Sequence, residues 1–181
     1  MTTDSRRAPE AGDTDAVPLT STCLCLVTRV NHDGHTQVLL GHKKTGLGLG
    51  KIVGLGGHVE PGESPAEAAA REAKEESGVH VDADALTENA YITFLFPFQP
   101  AWDMTVNVFT TADYDGDPAE TDEIRPEWFA VTDLPLDRMW DDAKHWLPRV
   151  LAGDRLRATF RYAQDNATVT HYSITPSEAP A

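Results

Sequence analysis

Three glutamates in one short segment have the spacing of a cation site. Glu72, Glu75 and Glu76 lie between residues 64 and 78, and in a helix their side chains project from nearly the same face. Carboxylates held this close repel one another, and a hard divalent cation with oxygen ligands relieves the repulsion. The spacing therefore predicts a site for magnesium or manganese, ions that activate water and bind phosphate groups.

The residues around these glutamates predict a helix over residues 64–77. Ser64 suits the N-cap position, and Glu67 at position N3 can complete a capping box with it. Pro65 suits the first helical position, and Gly78 suits a left-handed C-terminal cap. A stripe of small side chains beside the glutamates would let the helix lie close to a flat surface. The stripe consists of Ala66, Ala69, Ala70 and Ala73.

A glycine-rich loop precedes the predicted helix. Gly56, Gly57 and Gly62 allow the backbone to approach the start of the helix, so that a loop carbonyl could join the carboxylates around a cation. An acidic helix alone is usually a solvated surface, but here the caps, the loop and the glutamate spacing agree on a functional site. Arg71 lies one turn before Glu75 and can orient its carboxylate.

Residues 57–79 resemble the complete signature of the Nudix hydrolases, which cleave nucleoside diphosphates linked to another group. The resemblance implies an α/β fold, specifically a Nudix-type α/β/α sandwich with a mixed β-sheet. It also implies attack of water on a phosphoanhydride with Mg²⁺ as cofactor, or Mn²⁺ in its place. The matching positions are Gly57, Glu63, Arg71, Glu72, Glu75, Glu76 and Gly78.

Residues 38–46, 120–129 and 139–146 are similar to the MutT-type 8-oxo-dGTP diphosphatases, the Nudix enzymes that remove oxidised purines from nucleotide pools. This similarity implies that Glu123 lies near the metal although it is outside the signature helix. The implied metal ligands are the Gly56 carbonyl, Glu72, Glu75, Glu76 and Glu123. The implied catalytic residues are the same four glutamates and Arg71, and the sequence leaves open which glutamate accepts the proton of water.

The same similarity implies a nucleotide pocket. Trp140 matches a base-stacking residue, Thr22 and Asp142 match pocket residues, and Lys43 borders the nucleotide. Other aromatic side chains could line this pocket or fill the core. They are Phe94, Phe96, Trp102 and Trp146.

Two positions differ from the animal members of that group. Val53 stands where they carry a base-reading asparagine, and Ala143 stands where they carry the second of two aspartates. A valine cannot hydrogen-bond with a purine edge. Recognition of the base is therefore the step in which we expect this chain to depart from the group.

Three functions fit these observations. The first is a nucleoside triphosphate pyrophosphohydrolase that releases a monophosphate and pyrophosphate and removes oxidised purines such as 8-oxo-dGTP. The second is a Nudix hydrolase of another nucleoside diphosphate derivative, such as a dinucleoside polyphosphate or a sugar nucleotide. The third is a nucleotide sensor without catalysis, and the intact set of glutamates argues against it. We take the first as the main prediction.

Composition narrows the partners. A chain of 181 residues with 40% hydrophobic residues suits one domain. The formal net charge of −14 disfavours nucleic acid polymers but suits a metal-bound nucleotide. With no apolar membrane span and no signal peptide, we expect a cytoplasmic monomer or homodimer. Cys23 and Cys25 alternate on a strand and suit plain core thiols.

The domain organisation follows from the element order. We expect a disordered arm over residues 1–18, a Nudix domain over 19–175 and a tail over 176–181. A second helix should begin at an aspartate cap, Asp141 or Asp142, and reach Leu151. The predicted strands cover residues 21–30, 36–42, 52–53, 90–98, 104–111, 127–131, 155–162 and 168–174.

Overall fold

The computed structural model describes residues 19–177, which form a mixed sheet with one helix on each face. The predicted arm and the last four residues, 178–181, lie outside the described residues. The strands are β1 (Thr20–Val30), β2 (Thr36–Lys43), β3 (Ile52–Val53), β4 (Thr87–Leu95), β5 (Met104–Thr111), β6 (Ile124–Ala130), β7 (Leu156–Tyr162) and β8 (Val169–Pro176). The helices are α1 (Pro65–Ser77) and α2 (Ala143–Leu151).

The sheet combines parallel and antiparallel neighbours in the order β3-β2-β1-β5-β4-β7-β8, with β6 paired to β2. β1 runs parallel to β5, and β4 runs parallel to β7. The remaining neighbours are antiparallel. This mixed arrangement confirms the predicted fold class.

β1 divides the core into two clusters because successive side chains of a strand point to opposite faces. Cys23, Cys25 and Val27 pack with the buried alanines of α1 on one face. Leu24 and Leu26 pack on the other face with the apolar side of α2. The two cysteines are buried free thiols, as predicted.

The ends of α1 agree with the prediction. Ser64 is the N-cap, its side chain and that of Glu67 complete a capping box, and Gly78 closes the helix with φ 75°. The buried stripe is slightly different from the predicted one, because Ala68, Ala69 and Ala73 are the alanines that are fully covered. These small side chains allow α1 to lie close to β1.

Two strands have boundaries three residues away from the predicted ones. β4 covers Thr87–Leu95 instead of 90–98, because the amide of Phe96 donates to the side chain of Asp103 and the chain then turns. β6 begins at Ile124 instead of residue 127. Pro126 is tolerated within it because, among residues 19–177, β6 pairs on one side only, with β2.

The predicted aspartate cap of α2 is wrong. Asp142 occupies the N-cap position but its side chain makes no capping hydrogen bond. The Asp141 carboxylate contacts Lys144 and accepts from the amide of Val169. Both aspartates therefore serve tertiary contacts rather than the helix end.

The last strand is longer than predicted. β8 continues to Pro176, beyond the predicted strand end at residue 174. Among residues 19–177, no helix has the length and apolar character needed to span a membrane.

Candidate active site

One cavity of about 750 Å³ brings the predicted site residues together. We call the part formed by Gly56, Glu72, Glu75, Glu76 and Glu123 the carboxylate end. We call the part formed by Phe94, Phe96, Trp140, Asp142, Trp146 and Tyr162 the aromatic end. Arg71, Lys43, Thr22 and Val53 also line the cavity.

Arg71 organises the carboxylate end. Its guanidinium binds Glu63 with two hydrogen bonds, Nη2 to Oε1 at 2.7 Å and Nε to Oε2 at 3.2 Å. Nη1 also donates to Glu72 Oε1 at 2.8 Å and to Glu75 Oε2 at 3.1 Å. The bonds from Arg71 hold the pKa of Glu63 below its usual value. Arg71 thus orients two glutamates, as predicted for Glu75, while the anchoring role of Glu63 was not foreseen.

The glycine loop approaches both β1 and α1 closely. The Gly57 carbonyl accepts from the amide of Cys23 at 2.9 Å. A Cβ atom at Gly57 would lie 2.4 Å from Glu72 Oε1, and one at Gly56 would lie 2.0 Å from the Cys23 carbonyl oxygen. Space therefore requires glycine at position 56, where the clash is with backbone, whereas a side chain at position 57 would have to displace the Glu72 carboxylate. The Gly56 amide donates to Glu76 Oε2 at 2.9 Å, which ties the loop to the helix.

Lys43 joins the helix to the loop before β6. Its Nζ lies 2.9 Å from Glu76 Oε1 and 3.5 Å from Glu123 Oε2. Burial opposes the charge on Lys43, but its bonds with both glutamates raise its pKa above the usual value. Burial raises the pKa of the Glu76 carboxyl, while Lys43 and the Gly56 amide act against that rise. Glu123 therefore lies next to the helix carboxylates, although it is distant in sequence.

The oxygen donors of the carboxylate end suit a hard divalent cation. Within residues 19–177, however, no three acidic, histidine or cysteine side chains are gathered into a preformed ion site. Arg71 and Lys43 instead engage carboxylate oxygens of Glu72, Glu75 and Glu76. The side chains of Glu75 and Glu123 are 59% and 62% exposed, so both can turn towards an ion. The donor chemistry fits a cation once these side chains rotate.

The rings of the aromatic end come from β4, α2 and β7 and from the loops beside β4 and α2. Phe96 stacks on Tyr162 with centroids 4.5 Å apart and planes 7° apart. Trp140 meets both rings edge-on, at 6.4 Å from Phe96 and 6.0 Å from Tyr162. Lys51 Nζ lies 4.8 Å from the centre of the Trp140 ring, within cation–π range. Trp140 is only partly buried and can offer a ring face to a base.

Asp142 supplies a carboxylate at the aromatic end. It is 4% exposed and accepts from Trp146 Nε1 at 2.6 Å and from the Tyr162 hydroxyl. Burial raises the pKa of Asp142, and these two hydrogen bonds act against that rise. Trp146, itself buried, positions Asp142.

Tyr162 is a cavity residue that the sequence interpretation missed. Alternation along β7 was the available signal, because Leu156, Ala158, Phe160 and Tyr162 are all buried on one face. A buried tyrosine hydroxyl needs a hydrogen-bond partner. That requirement could have pointed to a polar side chain across the cavity.

Three remaining predicted residues, Thr22, Val53 and Trp102, lie on the wall of the cavity. The Thr22 hydroxyl donates to the Thr105 carbonyl at 2.9 Å, so its oxygen can still accept a bond. Val53 is partly buried in β3 and gives the wall an apolar side chain.

Comparisons with known proteins agree with this site. The NUDIX domain model matches residues 22–150. The oxidized purine nucleoside triphosphate hydrolase of Danio rerio is 39% identical over 135 residues, which are 75% of this chain and 85% of the relative. The Mus musculus protein of the same name is 38% identical over 138 residues, 76% of this chain and 86% of the relative.

A solved structure extends the agreement to the fold. The MutT protein of Bacillus halodurans superposes with a TM-score of 0.71 at 27% identity, covering 88% of this chain and 100% of that one. The family match covers most of the chain and includes the carboxylate end. This chain belongs to the Nudix hydrolase family.

Proposed function

We propose that this protein hydrolyses oxidised purine nucleoside triphosphates to the monophosphate and pyrophosphate. The observation that carries the proposal is that one cavity has oxygen donors for a cation at one end and aromatic rings with a carboxylate at the other. In a purine nucleoside triphosphate, the phosphates with their cation match the first end and the base matches the second. The relatives named oxidized purine nucleoside triphosphate hydrolase support this substrate class.

The carboxylate end would hold the divalent cation. We assign Glu72, Glu75, Glu76, Glu123 and the Gly56 carbonyl as its ligands, with Mg²⁺ as the ion or Mn²⁺ in its place. When bound, such an ion lowers the pKa of water and neutralises charge on the phosphates. Arg71 keeps Glu72 and Glu75 in place, because its guanidinium is anchored by the two hydrogen bonds that it donates to Glu63.

The proton of the attacking water requires an accessible carboxylate. Glu76 is unsuited to accept it, since it is 3% exposed and already binds Lys43 and the Gly56 amide. Glu75 and Glu123 are exposed to solvent and are the better candidates for general base. Lys43 lies between Glu76 and Glu123 and carries the positive charge that would hold a phosphate oxygen.

The aromatic end would bind the base. We assign Trp140 as the stacking surface, and stacking on an aromatic face contributes about 1–3 kcal/mol per base. Asp142 would accept hydrogen bonds from N–H groups of the purine, and Thr22 lies on the same cavity wall. Phe94, Trp146 and Val53 complete the apolar surroundings. We expect no nucleic acid polymer as substrate, in keeping with the net charge of −14.

The proposal is tested by following products with a panel of nucleotides. The panel contains 8-oxo-dGTP, dGTP, 2-hydroxy-dATP, a dinucleoside polyphosphate and ADP-ribose, each with magnesium and again with excess chelator. We expect a monophosphate and pyrophosphate, the highest kcat/KM for an oxidised purine, and no reaction in chelator. A wide preference for the dinucleotide would overturn the substrate assignment, and no cleavage of any compound would favour a sensor.

Substitution of a proposed metal ligand tests the chemistry directly. Glu76→Gln should lower kcat/KM by about 10³, since loss of one electrostatic group at a reacting centre costs 10²–10³. Glu88→Gln is the matched variant, because Glu88 contacts Asn107 on the sheet and is not part of the proposed site. A Glu76→Gln protein with full rate would remove the proposed metal site.

A further inference from the structure

Asp142 is a buried carboxylate whose hydrogen-bond partners in the described residues are both neutral. It is 4% exposed, and its two oxygen atoms accept from the Trp146 indole and the Tyr162 hydroxyl. The nearby cation Lys144 contacts Asp141 instead. Burying a carboxylate without a cation is costly for the fold. A carboxylate kept in this way at a cavity wall indicates a functional site rather than a structural one.

Both partners donate to Asp142. The Trp146 indole has no acceptor. Burial and the charge of Asp142 raise the pKa of the Tyr162 phenol far above its usual value, so the hydroxyl keeps its proton and points it at Asp142. Each carboxylate oxygen has two lone pairs, and the side chains of Trp146 and Tyr162 occupy one on each atom. One lone pair on each oxygen is left for a ligand in the cavity.

The ring of Tyr162 and its hydroxyl have separate contacts. The ring stacks on Phe96 and meets Trp140 edge-on, whereas the hydroxyl contacts Asp142. Removing the oxygen alone therefore leaves the aromatic cluster in place. It frees one side of the Asp142 carboxylate to rotate.

We propose that Tyr162 is a positioning residue that sets base selectivity through Asp142. Its hydroxyl holds the carboxylate in the one orientation in which both free lone pairs face a purine edge. Two parallel N–H donors match such a carboxylate, so the favoured bases carry a ring N–H beside an exocyclic amino group. This inference rests on the proposed function and adds to it the class of base and the residue that enforces it.

The test compares two substrates that differ by one amino group. The ratio of kcat/KM for 8-oxo-dGTP to that for 8-oxo-dITP is measured in the wild type, Tyr162→Phe and Tyr172→Phe. We expect a wild-type ratio well above one and a fall of about tenfold in Tyr162→Phe, typical of a hydrogen bond to a charged group. Tyr172 is 54% exposed on β8, and its variant should keep the wild-type ratio. Because both substrates meet the same protein sample, partial unfolding cancels from the ratio.

A double-mutant cycle separates positioning from a structural role. If Tyr162 acts through Asp142, Tyr162→Phe should leave the ratio unchanged in an Asp142→Asn background. A wild-type ratio near one, an unaltered ratio in Tyr162→Phe, or a full effect in the Asn background would each overturn the inference while leaving hydrolysis intact. Absence of all triphosphate hydrolysis in the wild type would instead overturn the proposed function and this inference with it.

Discussion

The carboxylate end of the cavity comes mainly from one stretch of chain, whereas the aromatic end is assembled from distant elements. Gly56, Glu72, Glu75 and Glu76 lie within 21 residues of one another, with Glu123 added from the loop before β6. The aromatic end takes Phe94 from β4, Trp146 from α2 and Tyr162 from β7. Charged groups pair with charged groups at the first end, while rings and neutral donors surround one carboxylate at the second.

This difference suggests a division of tasks. The helices of the two ends pack in separate core clusters on opposite faces of the sheet. Changes at the carboxylate end should therefore alter the rate for all substrates, and changes at the aromatic end should alter the preference among bases. Two experiments test this separation and two more test how α1 is held, beginning with the largest expected effect.

Gly57→Ala should break the carboxylate end alone. The added methyl group would meet Glu72 Oε1 at 2.4 Å and displace that carboxylate, and a displacement of this size at a reacting centre can cost about 10²-fold in rate. We expect kcat to fall by about that factor for every substrate, measured by pyrophosphate release. The ratio of kcat/KM between oxidised and normal purines should not change, and a large change in that ratio would contradict the division of tasks.

Trp140→Ala should have the opposite signature. Loss of the stacking surface should lower kcat/KM for purine triphosphates by about 30-fold, since stacking contributes about 1–3 kcal/mol. The change should appear mainly in KM, because the carboxylates are not touched. Trp128→Ala is a suitable comparison, since Trp128 packs against Tyr114 and Arg29 away from the cavity. Equal losses of kcat in both variants would mean that Trp140 acts only through stability.

Ser64→Ala should remove the N-cap hydrogen bond at the start of α1. The Ser64 hydroxyl accepts from the Glu67 amide at 3.2 Å, and removal of such an N-cap costs about 1 kcal/mol. We expect the melting temperature to fall by about 2–4 °C for a domain of this size, measured by calorimetry. A wild-type melting temperature would show that packing alone fixes the start of the helix.

The two cysteines test whether the face below α1 is closed to solvent. Burial raises the pKa of Cys23 to about 11 and that of Cys25 to about 12, from 9.0. The thiolate is the reactive form, so a thiol reagent at pH 8 should not label the folded protein. Because the pKa is higher in the folded state, ionisation of the thiols does not lower the free energy of unfolding below pH 9. It lowers that free energy progressively as the pH rises towards 12. Rapid labelling of the native protein would show that this face opens.

Local patterns in the sequence predicted the carboxylate end well. The caps of α1, the glycine loop and the contact from Arg71 to Glu75 all depend on residues that are near one another in the chain. The family resemblance supplied Glu123, whose link to Glu76 runs through Lys43 and could not follow from spacing.

The aromatic end was less predictable because its partners meet only after the sheet forms. The resemblance predicted Asp142 as a pocket residue, and its position before α2 predicted that it or Asp141 caps the helix. Its bond with Tyr162, which lies 20 residues further along the chain, was not predicted. The hydroxyl of Tyr162 had no visible partner in the sequence. Its role depends on the parallel pairing of β4 with β7, which no local pattern specifies.

β1 forms a wall that both ends of the cavity share. Because its side chains alternate between the two faces of the sheet, β1 is sensitive to insertions. Thr22 and Leu24 face the cavity, while Cys23 hydrogen-bonds the glycine loop. Inserting a single residue before Thr22 that shifted the strand by one position would exchange its two faces. The Cys25 thiol would then enter the cavity, and bulkier groups would push against the alanines of α1. A register shift of one residue would therefore disable hydrolysis and base selection together, although every side chain assigned to either task would still be present.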